Sequence, residues 1–168
     1  MTNMQDELIP QEIRTIYEDY ISDVNYLEAT RKPTDGLMGF GKRAGDDPCH
    51  DRFASRLDKE LDTLAATAPS SETASAVLRF VFAAPSEHKD LMLAFWMLQA
   101  VHGFTEKLIV FLSPQAAADL EASYTEQYPR RVRLPVQQKI AQLLKAQAGD
   151  CGTKKGKGLT HFFRGAGR

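Results

Sequence analysis

The sequence predicts an all-α protein, a single-domain bundle of five or six helices around an apolar central helix, followed by a flexible basic C-terminal tail. Apolar residues recur at steps of three and four along successive segments, as in amphipathic helices, and no segment alternates in the manner of a strand. Serine, aspartate or proline stands where these segments begin, and proline or glycine where they end. We therefore expect a helical domain over residues 1–148 and a glycine-rich basic tail over residues 149–168.

The first two helices are expected on either side of a long segment that contains several glycines. The first begins after Pro10 and ends before Pro33, because proline starts a helix well and disfavours helical angles in the residue before it. The second begins at Pro48, with Asp47 as its N-cap. Their apolar stripes are Ile13, Ile16, Tyr17, Tyr20, Val24 and Leu27 in the first helix and Phe53, Leu57, Leu61 and Leu64 in the second.

The third helix leads into the predicted central helix. The third is capped by Ser70 or Ser71 and is expected to stop near Pro85. The central helix is expected over residues 87–112. Since this segment is apolar nearly all round, its neighbours must cover more than one face.

Two further helices complete the predicted domain. Ser113 is the expected cap of a helix that starts at Pro114 and closes at Pro129. The last helix is expected to begin at Pro135 and to end at Gly149. The residues that follow show no helical period, so we assign them to the tail.

The composition is that of a soluble globular protein. Of the 168 residues, 43% are hydrophobic and 26% are charged, which argues against global disorder. The first residues are acidic, so we expect no secretory signal, and the longest apolar run is too short and interrupted for a membrane span. Cys49 and Cys151 lie far apart, which fits a reducing compartment better than a disulfide framework. We therefore expect a cytoplasmic protein without a membrane partner.

The charge of the chain is strongly divided at Pro129. Residues 129–168 contain ten Lys and Arg and one acid, a net charge of +9, whereas the preceding residues contain eleven Lys and Arg and twenty-one acids, a net charge of −10. Two parts of opposite charge attract each other, or each attracts an external partner. This division is the largest functional signal in the sequence.

The stretch DGLMGFGKR, residues 35–43, has the G-x-x-x-x-G-K spacing of a phosphate-binding loop. Such a loop also needs Ser or Thr after the Lys, a preceding strand and a helix that leaves it directly. Here Arg43 replaces the hydroxyl, a helix precedes, and two acids follow. We expect a glycine loop that packs its apolar residues onto the helices; the alternative is a binding loop that uses Phe40, Lys42 and Arg43.

Cys49 lies at the second position of its helix, where the helix dipole favours a thiolate, and His50 follows it. This placement raises the hypothesis of a reactive thiol. However, neighbouring helical residues point about 100° apart, and the nearby aspartates oppose a negative thiolate. A buried or inert cysteine is the favoured interpretation.

A metal site is the second chemical alternative. His102 and Glu106 are one helical turn apart and can form half of a site, completed by Cys49 and His50 from a neighbouring helix. Neither the paired Glu-x-x-His of di-iron bundles nor a Cys-x-x-Cys pair is present. We predict no metal and no cofactor, with a metal- or thiol-dependent enzyme that uses these four residues as the alternative.

The basic C-terminal segment is the predicted binding site. Lys and Arg neutralise phosphates or acidic surfaces, and phenylalanines stack on unpaired bases. We predict a non-enzymatic protein whose partner is an acidic protein surface or a nucleic acid; a structural homo-oligomer, in which the segment binds the acidic body of a neighbouring subunit, is a further alternative. The predicted contacts are Arg130, Arg131, Arg133, Lys139, Lys154, Lys155, Lys157, Phe162, Phe163 and Arg164, with Phe40, Lys42 and Arg43 as a second contact.

Overall fold

The structure, a computed structural model, describes residues 8–30 and 47–149, and these residues contain no strand. Its elements are α1 (Gln11–Thr30), α2 (Pro48–Ala66), α3 (Ser71–Glu87), α4 (Met92–Ala100), a 3₁₀ segment (Val101–Thr105), α5 (Glu106–Ile109), α6 (Pro114–Gln127) and α7 (Pro135–Gly149). Six of the described α-helices have nine residues or more, so the prediction of an all-α chain with five or six helices is confirmed. None of the described helices has the length and apolarity that a membrane span requires.

The predicted starts of α2, α3 and α6 are confirmed by their N-caps. In each, a side-chain oxygen accepts a hydrogen bond from a backbone N–H of the first turn, which satisfies a donor that a helix start leaves unpaired. The three bonds join Asp47 to Cys49 at 3.0 Å, Ser70 to Thr73 at 3.2 Å and Ser113 to Ala116 at 3.2 Å. Capping depends on neighbouring residues, and for this reason it can be predicted from a short stretch of sequence.

The predicted continuous helix over residues 87–112 is wrong. α3 continues through Pro85, a turn follows, and the apolar segment is divided into α4, the 3₁₀ segment and α5. Pro85 therefore lies inside a helix, where it has no N–H to donate to the carbonyl of Val81. The N–H of Leu91 returns to the carbonyl of His88 at 3.0 Å, which closes the turn between α3 and α4.

Two tertiary contacts hold the divided segment in place. Glu28 Oε1, on α1, accepts a hydrogen bond from the backbone N–H of Leu93 at 3.0 Å and so caps the start of α4. In the 3₁₀ segment, a Cβ atom on Gly103 would lie 3.3 Å from Val136 Cγ2 of α7. The missing side chain lets these two segments approach closely. Both contacts join residues that are distant in sequence, so helical periodicity does not contain them.

The divided segment packs among the other helices. α4 contacts α1, α2 and α3, whereas the 3₁₀ segment and α5 contact α2, α3 and α7. α6 packs against α7 and α3, and α1 packs against α2. One hydrophobic cluster of the described residues includes side chains from all of these elements. This packing places the two histidines of greatest interest inside the core.

Candidate functional site

His50, near the start of α2, is buried against a tyrosine. It is 1% exposed, and its Nδ1 shares a hydrogen bond of 2.9 Å with the hydroxyl of Tyr20 on α1. The centre of its ring lies 5.4 Å from that of Trp96 on α4. Tyr20 also stacks on Phe53 with 4.1 Å between ring centres. The imidazole therefore joins three helices through its hydrogen bond to Tyr20 and its ring contacts.

His102, in the 3₁₀ segment, forms a second buried pair of this kind. Its Nδ1 shares a hydrogen bond of 3.0 Å with the hydroxyl of Tyr124 on α6, and its ring centre lies 5.1 Å from Phe82 and 5.4 Å from Tyr128. Burial lowers the pKa of His102 to about 3, although the backbone carbonyl of Val81 acts in the opposite direction. The ring is therefore neutral at neutral pH, because the charged form would lose more hydration than its neighbours replace.

The surroundings of His102 follow from the proline in α3. The Val81 carbonyl is the one that Pro85 leaves without its helical donor. The next carbonyl, of Phe82, accepts hydrogen bonds from the Tyr128 hydroxyl at 2.8 Å and from Gln127 Nε2 at 2.9 Å. Side chains of α6 and of the 3₁₀ segment thus lie against the irregular turn of α3.

Cys49 is a buried thiol. It is 5% exposed. Burial, then the hydrogen bond and charge of Asp47 and the charge of Asp23, raises the pKa of the Cys49 thiol to about 12, while Arg52 acts in the opposite direction. Desolvation outweighs the helix dipole at this position, so the neutral thiol dominates at neutral pH. A neutral thiol is a poor nucleophile and a poor metal ligand.

The four side chains of the metal- or thiol-dependent alternative have different surroundings. His50 and His102 have different aromatic neighbours. Glu106, on α5, forms an ion pair of 2.7 Å with Lys139 of α7. Within residues 8–30 and 47–149, no three His, Cys, Asp or Glu side chains come together in the way that a metal ion requires. The described geometry therefore gives this alternative no support.

Two of the predicted partner-binding cations contact groups of their own chain, although the side chain of Lys139 is 61% exposed. Arg133 Nε donates a hydrogen bond to the backbone carbonyl of Tyr128 at 2.6 Å, which joins the turn before α7 to the end of α6. Lys139 makes the ion pair with Glu106. Both cations therefore have structural contacts that a count of basic residues does not reveal.

The other two described cations are exposed. Arg130 and Arg131 lie in a turn closed by a hydrogen bond of 2.9 Å from the Val132 N–H to the Pro129 carbonyl. Their side chains face solvent at the start of the basic segment. The remaining predicted contacts lie outside the described residues; they are Phe40, Lys42, Arg43, Lys154, Lys155, Lys157, Phe162, Phe163 and Arg164.

Comparison with known proteins gives no relative for this chain. No protein-family model, no curated protein and no solved structure matches it.

An exposed apolar face on α4 lies on the segment that is predicted to be covered on more than one face. Met92, Phe95 and Trp96 are spaced at i, i+3 and i+4 and share one face. They are 79%, 43% and 43% exposed, respectively. The opposite side of α4 is buried through Leu93, Ala94, Met97 and Leu98. An all-apolar helix has no polar stripe from which its solvent side could be predicted.

A cavity of about 460 Å³ lies between α1 and α3. Its volume falls within the range of roughly 300–1,000 Å³ that is usual for small-molecule sites. Apolar contacts come from Tyr17, Ile21 and Phe80, and the rim carries both signs of charge, including Arg14 and Glu87. No described contact joins this cavity to the basic segment. The exposed face of α4 is joined to that segment through the hydrogen bond between Gln99 and Gln137.

Proposed function

We propose that this chain is a non-enzymatic, cytoplasmic helical bundle that binds a macromolecular partner through its basic C-terminal segment, residues 129–168. The observation that carries the proposal is the division of charge, +9 on this segment and −10 on the residues before it. A partner surface of negative charge is attracted and oriented by such a segment. The partner is an acidic protein surface or a nucleic acid.

The described part of the segment supports the proposal through Arg130 and Arg131, which are exposed at its start. We assign Arg133 and Lys139 to internal contacts, because both bind groups of their own chain. The tail adds cations interleaved with two phenylalanines, a combination that suits phosphates, bases or acidic side chains. The glycine loop, with Phe40, Lys42 and Arg43, is proposed as a second contact.

Deletion of residues 149–168 tests the proposal. Full-length and truncated chains are compared for binding to RNA, to DNA and to lysate proteins over a series of salt concentrations. We expect weaker binding and a smaller salt dependence after truncation, because each phosphate contact contributes about 0.7 to 0.9 to the logarithmic salt slope. The double variant Lys59→Ala/Arg79→Ala, which removes two exposed cations outside the segment, is the matched control and should bind normally. Unchanged binding and an unchanged salt slope in the truncated chain would show that the tail is not the binding segment.

A structural homo-oligomer is a second candidate, since both signs of charge are present in one chain. Exposed acids on α1, such as Glu12 and Glu18, offer an acidic surface to the basic segment of a neighbour. This candidate predicts a mass of two or more chains at low salt that falls to one chain as salt rises, measured by sedimentation. A single-chain mass at low salt over a wide concentration range would remove it.

A further inference from the structure

A pair of glutamine side chains links the exposed face of α4 to the basic segment. Gln99 belongs to the same helical stripe as Phe95, one turn later. Gln137 Nε2, on α7, donates a hydrogen bond to Gln99 Oε1 at 2.8 Å, and Gln137 Oε1 accepts one from the Leu134 N–H at 2.9 Å. Gln137 is 1% exposed, and its hydrogen bond to the half-buried Gln99 is partly buried. Two glutamine side chains thus hold the turn before α7 against the end of α4.

The corner surface consists of five exposed apolar side chains and two arginines. Its members are Met92, Phe95, Trp96, Val132, Leu134, Arg130 and Arg131. The five apolar members are among the eight large hydrophobic side chains that are exposed in the described residues. Single exposed hydrophobics need no explanation, but their concentration in two linked segments marks an interaction site. Trp, Phe, Met and Arg are also the residue types enriched in protein interfaces.

We propose that the corner surface docks an acidic, amphipathic segment of a partner protein. This inference rests on the proposed function and chooses between its two kinds of partner. Met92, Val132 and Leu134 have no polar side-chain group that could bind a phosphate or read a base. They can instead bury the apolar residues of an amphipathic segment, whose acids then reach Arg130 and Arg131.

The local charges complement an acidic partner. Lys89 and Asp90, beyond the other end of α4, offset each other, and Glu28 caps that end, so the two arginines still leave the corner with a net positive charge. A second copy of this chain offers acids on α1, but Tyr26 is the one large hydrophobic side chain of that helix that is exposed. A partner that brings acids and exposed apolar residues together therefore fits the corner better than a second copy does.

Trp96 makes the corner directly observable, because it is the only tryptophan in the chain. The probe is a synthetic peptide of about four helical turns with leucines on one face and glutamates on the other. The controls are the same peptide with lysine in place of glutamate, and a single-stranded oligouridylate. We expect only the glutamate peptide to shift the Trp96 emission to shorter wavelength and to protect it from acrylamide. Its affinity should fall as salt is raised, since the arginine contacts are screened.

Full-length variants connect this binding to the corner. Phe95→Ser and the double variant Arg130→Ala/Arg131→Ala should each weaken binding of the glutamate peptide by about tenfold, a usual loss for an interface residue of this type. Two matched controls should keep the wild-type affinity. They are Val110→Ser, at an exposed apolar position elsewhere, and Lys59→Ala/Arg79→Ala. Circular dichroism verifies the fold, and the arginine variant remains informative if Phe95→Ser disturbs α4.

Four results would overturn the corner proposal. The first is loss of specific peptide binding, seen either as failure of the glutamate peptide to bind or as wild-type affinity in both corner variants. If deletion of residues 149–168 still abolishes macromolecular binding in that case, the proposed function stands without the corner. The second is a Trp96 response to the oligouridylate alone, which makes a nucleic acid the partner. The third is protection of Trp96 from acrylamide in the isolated chain. The fourth is a mass of two chains that Phe95→Ser reduces to one. Either result means that this protein covers its own α4 face.

Discussion

At the scale of single residues, Cys49 shows how burial reverses the effect of a helix start. With its pKa raised to about 12, chiefly by burial, the thiol holds its proton despite the dipole of α2. In a Cys151→Ser background, we expect Cys49 of the folded chain to react with an aromatic disulfide reagent near pH 8 at least about a hundredfold more slowly than in denaturant, because the thiolate fraction is small. The absorbance of the released thiol measures the rate. Fast reaction in the folded chain would revive the thiol-dependent alternative.

His102 makes the stability of the fold depend on pH. Its pKa is about 3 in the folded chain, compared with an ordinary value of about 6.5 in the unfolded chain. Between these values the unfolded chain binds more protons, so the free energy of unfolding is greatest above the unfolded pKa. It falls by up to about 1.4 kcal/mol per pH unit as the pH decreases towards the folded value. The titratable groups that face the ring, Tyr124 and Tyr128, stay neutral there because burial raises their pKa.

Urea unfolding of His102→Gln checks this dependence. The variant should be less stable near neutral pH, since the ring contacts are lost, but its stability should change less with pH over about one unit on either side of pH 5. His88→Gln, at a half-buried histidine of the turn after α3, is the matched control and should keep the wild-type slope. Equal slopes in all three proteins would assign the acid sensitivity to other groups.

At the scale of elements, α4 depends on α1 for its cap. Leu91 precedes α4 without a side-chain cap of its own, and Glu28 supplies the acceptor for the Leu93 N–H. Glu28→Ala should cost about 1 kcal/mol of unfolding free energy, as the loss of an N-cap usually does, and should alter the emission of Trp96 on the same helix. Glu28→Gln, which keeps a carbonyl oxygen, should cost less.

The control for this test is Glu18→Ala, which removes an exposed acid from the same helix. Its stability and its Trp96 emission should match those of the wild type. If Glu28→Ala behaves like this control, the hydrogen bond does not hold α4.

The same elements show which helix boundaries can be predicted from the sequence. The starts of α2, α3 and α6 depend on caps two or three residues away, so Asp47, Ser70 and Ser113 indicate them directly. The division of the apolar segment depends on pairs such as Glu28 with Leu93, which are 65 positions apart. No short stretch of sequence includes both partners. Pro85 wrongly predicts a helix end, because a proline inside a helix is normally destabilising, whereas α3 continues through it.

At the scale of the whole molecule, the described ion pairs are exposed or only partly buried. Arg56 pairs with Asp19 at 2.7 Å between α1 and α2, and Lys107 pairs with Asp58 at 2.7 Å between α5 and α2. Such pairs contribute little, so high salt should change the free energy of unfolding by less than about 1 kcal/mol while it weakens binding of the partner. Urea unfolding at low and high salt measures the first quantity. A large loss of stability in salt would show that the basic segment binds its own acidic body.

The candidate site was predictable in part. The charge division includes Arg130 and Arg131, which are exposed, but it equally includes Arg133 and Lys139, which contact Tyr128 and Glu106 of the same chain. The net charge cannot distinguish cations that face solvent from cations with partners in the chain, because the positions of Tyr128 and Glu106 in the fold determine which cations are paired. The exposed side of α4 could not be predicted at all, since a helix that is apolar all round contains no signal for the face that its neighbours leave open.

Periodicity, capping and charge are properties of neighbouring residues, so the sequence alone predicts that this chain is helical, where most of its helices begin, and that its C-terminal segment is basic. The fold was needed to show that the apolar segment is divided, that Cys49 and the two histidines are buried, and that Phe95 and Trp96 on α4 are exposed. These features depend on contacts between distant residues, such as the link from Gln137 to Gln99. Which of these contacts form depends on which apolar side chains can be buried together and on the hydrogen bonds that buried polar groups require. A local sequence pattern contains neither kind of information.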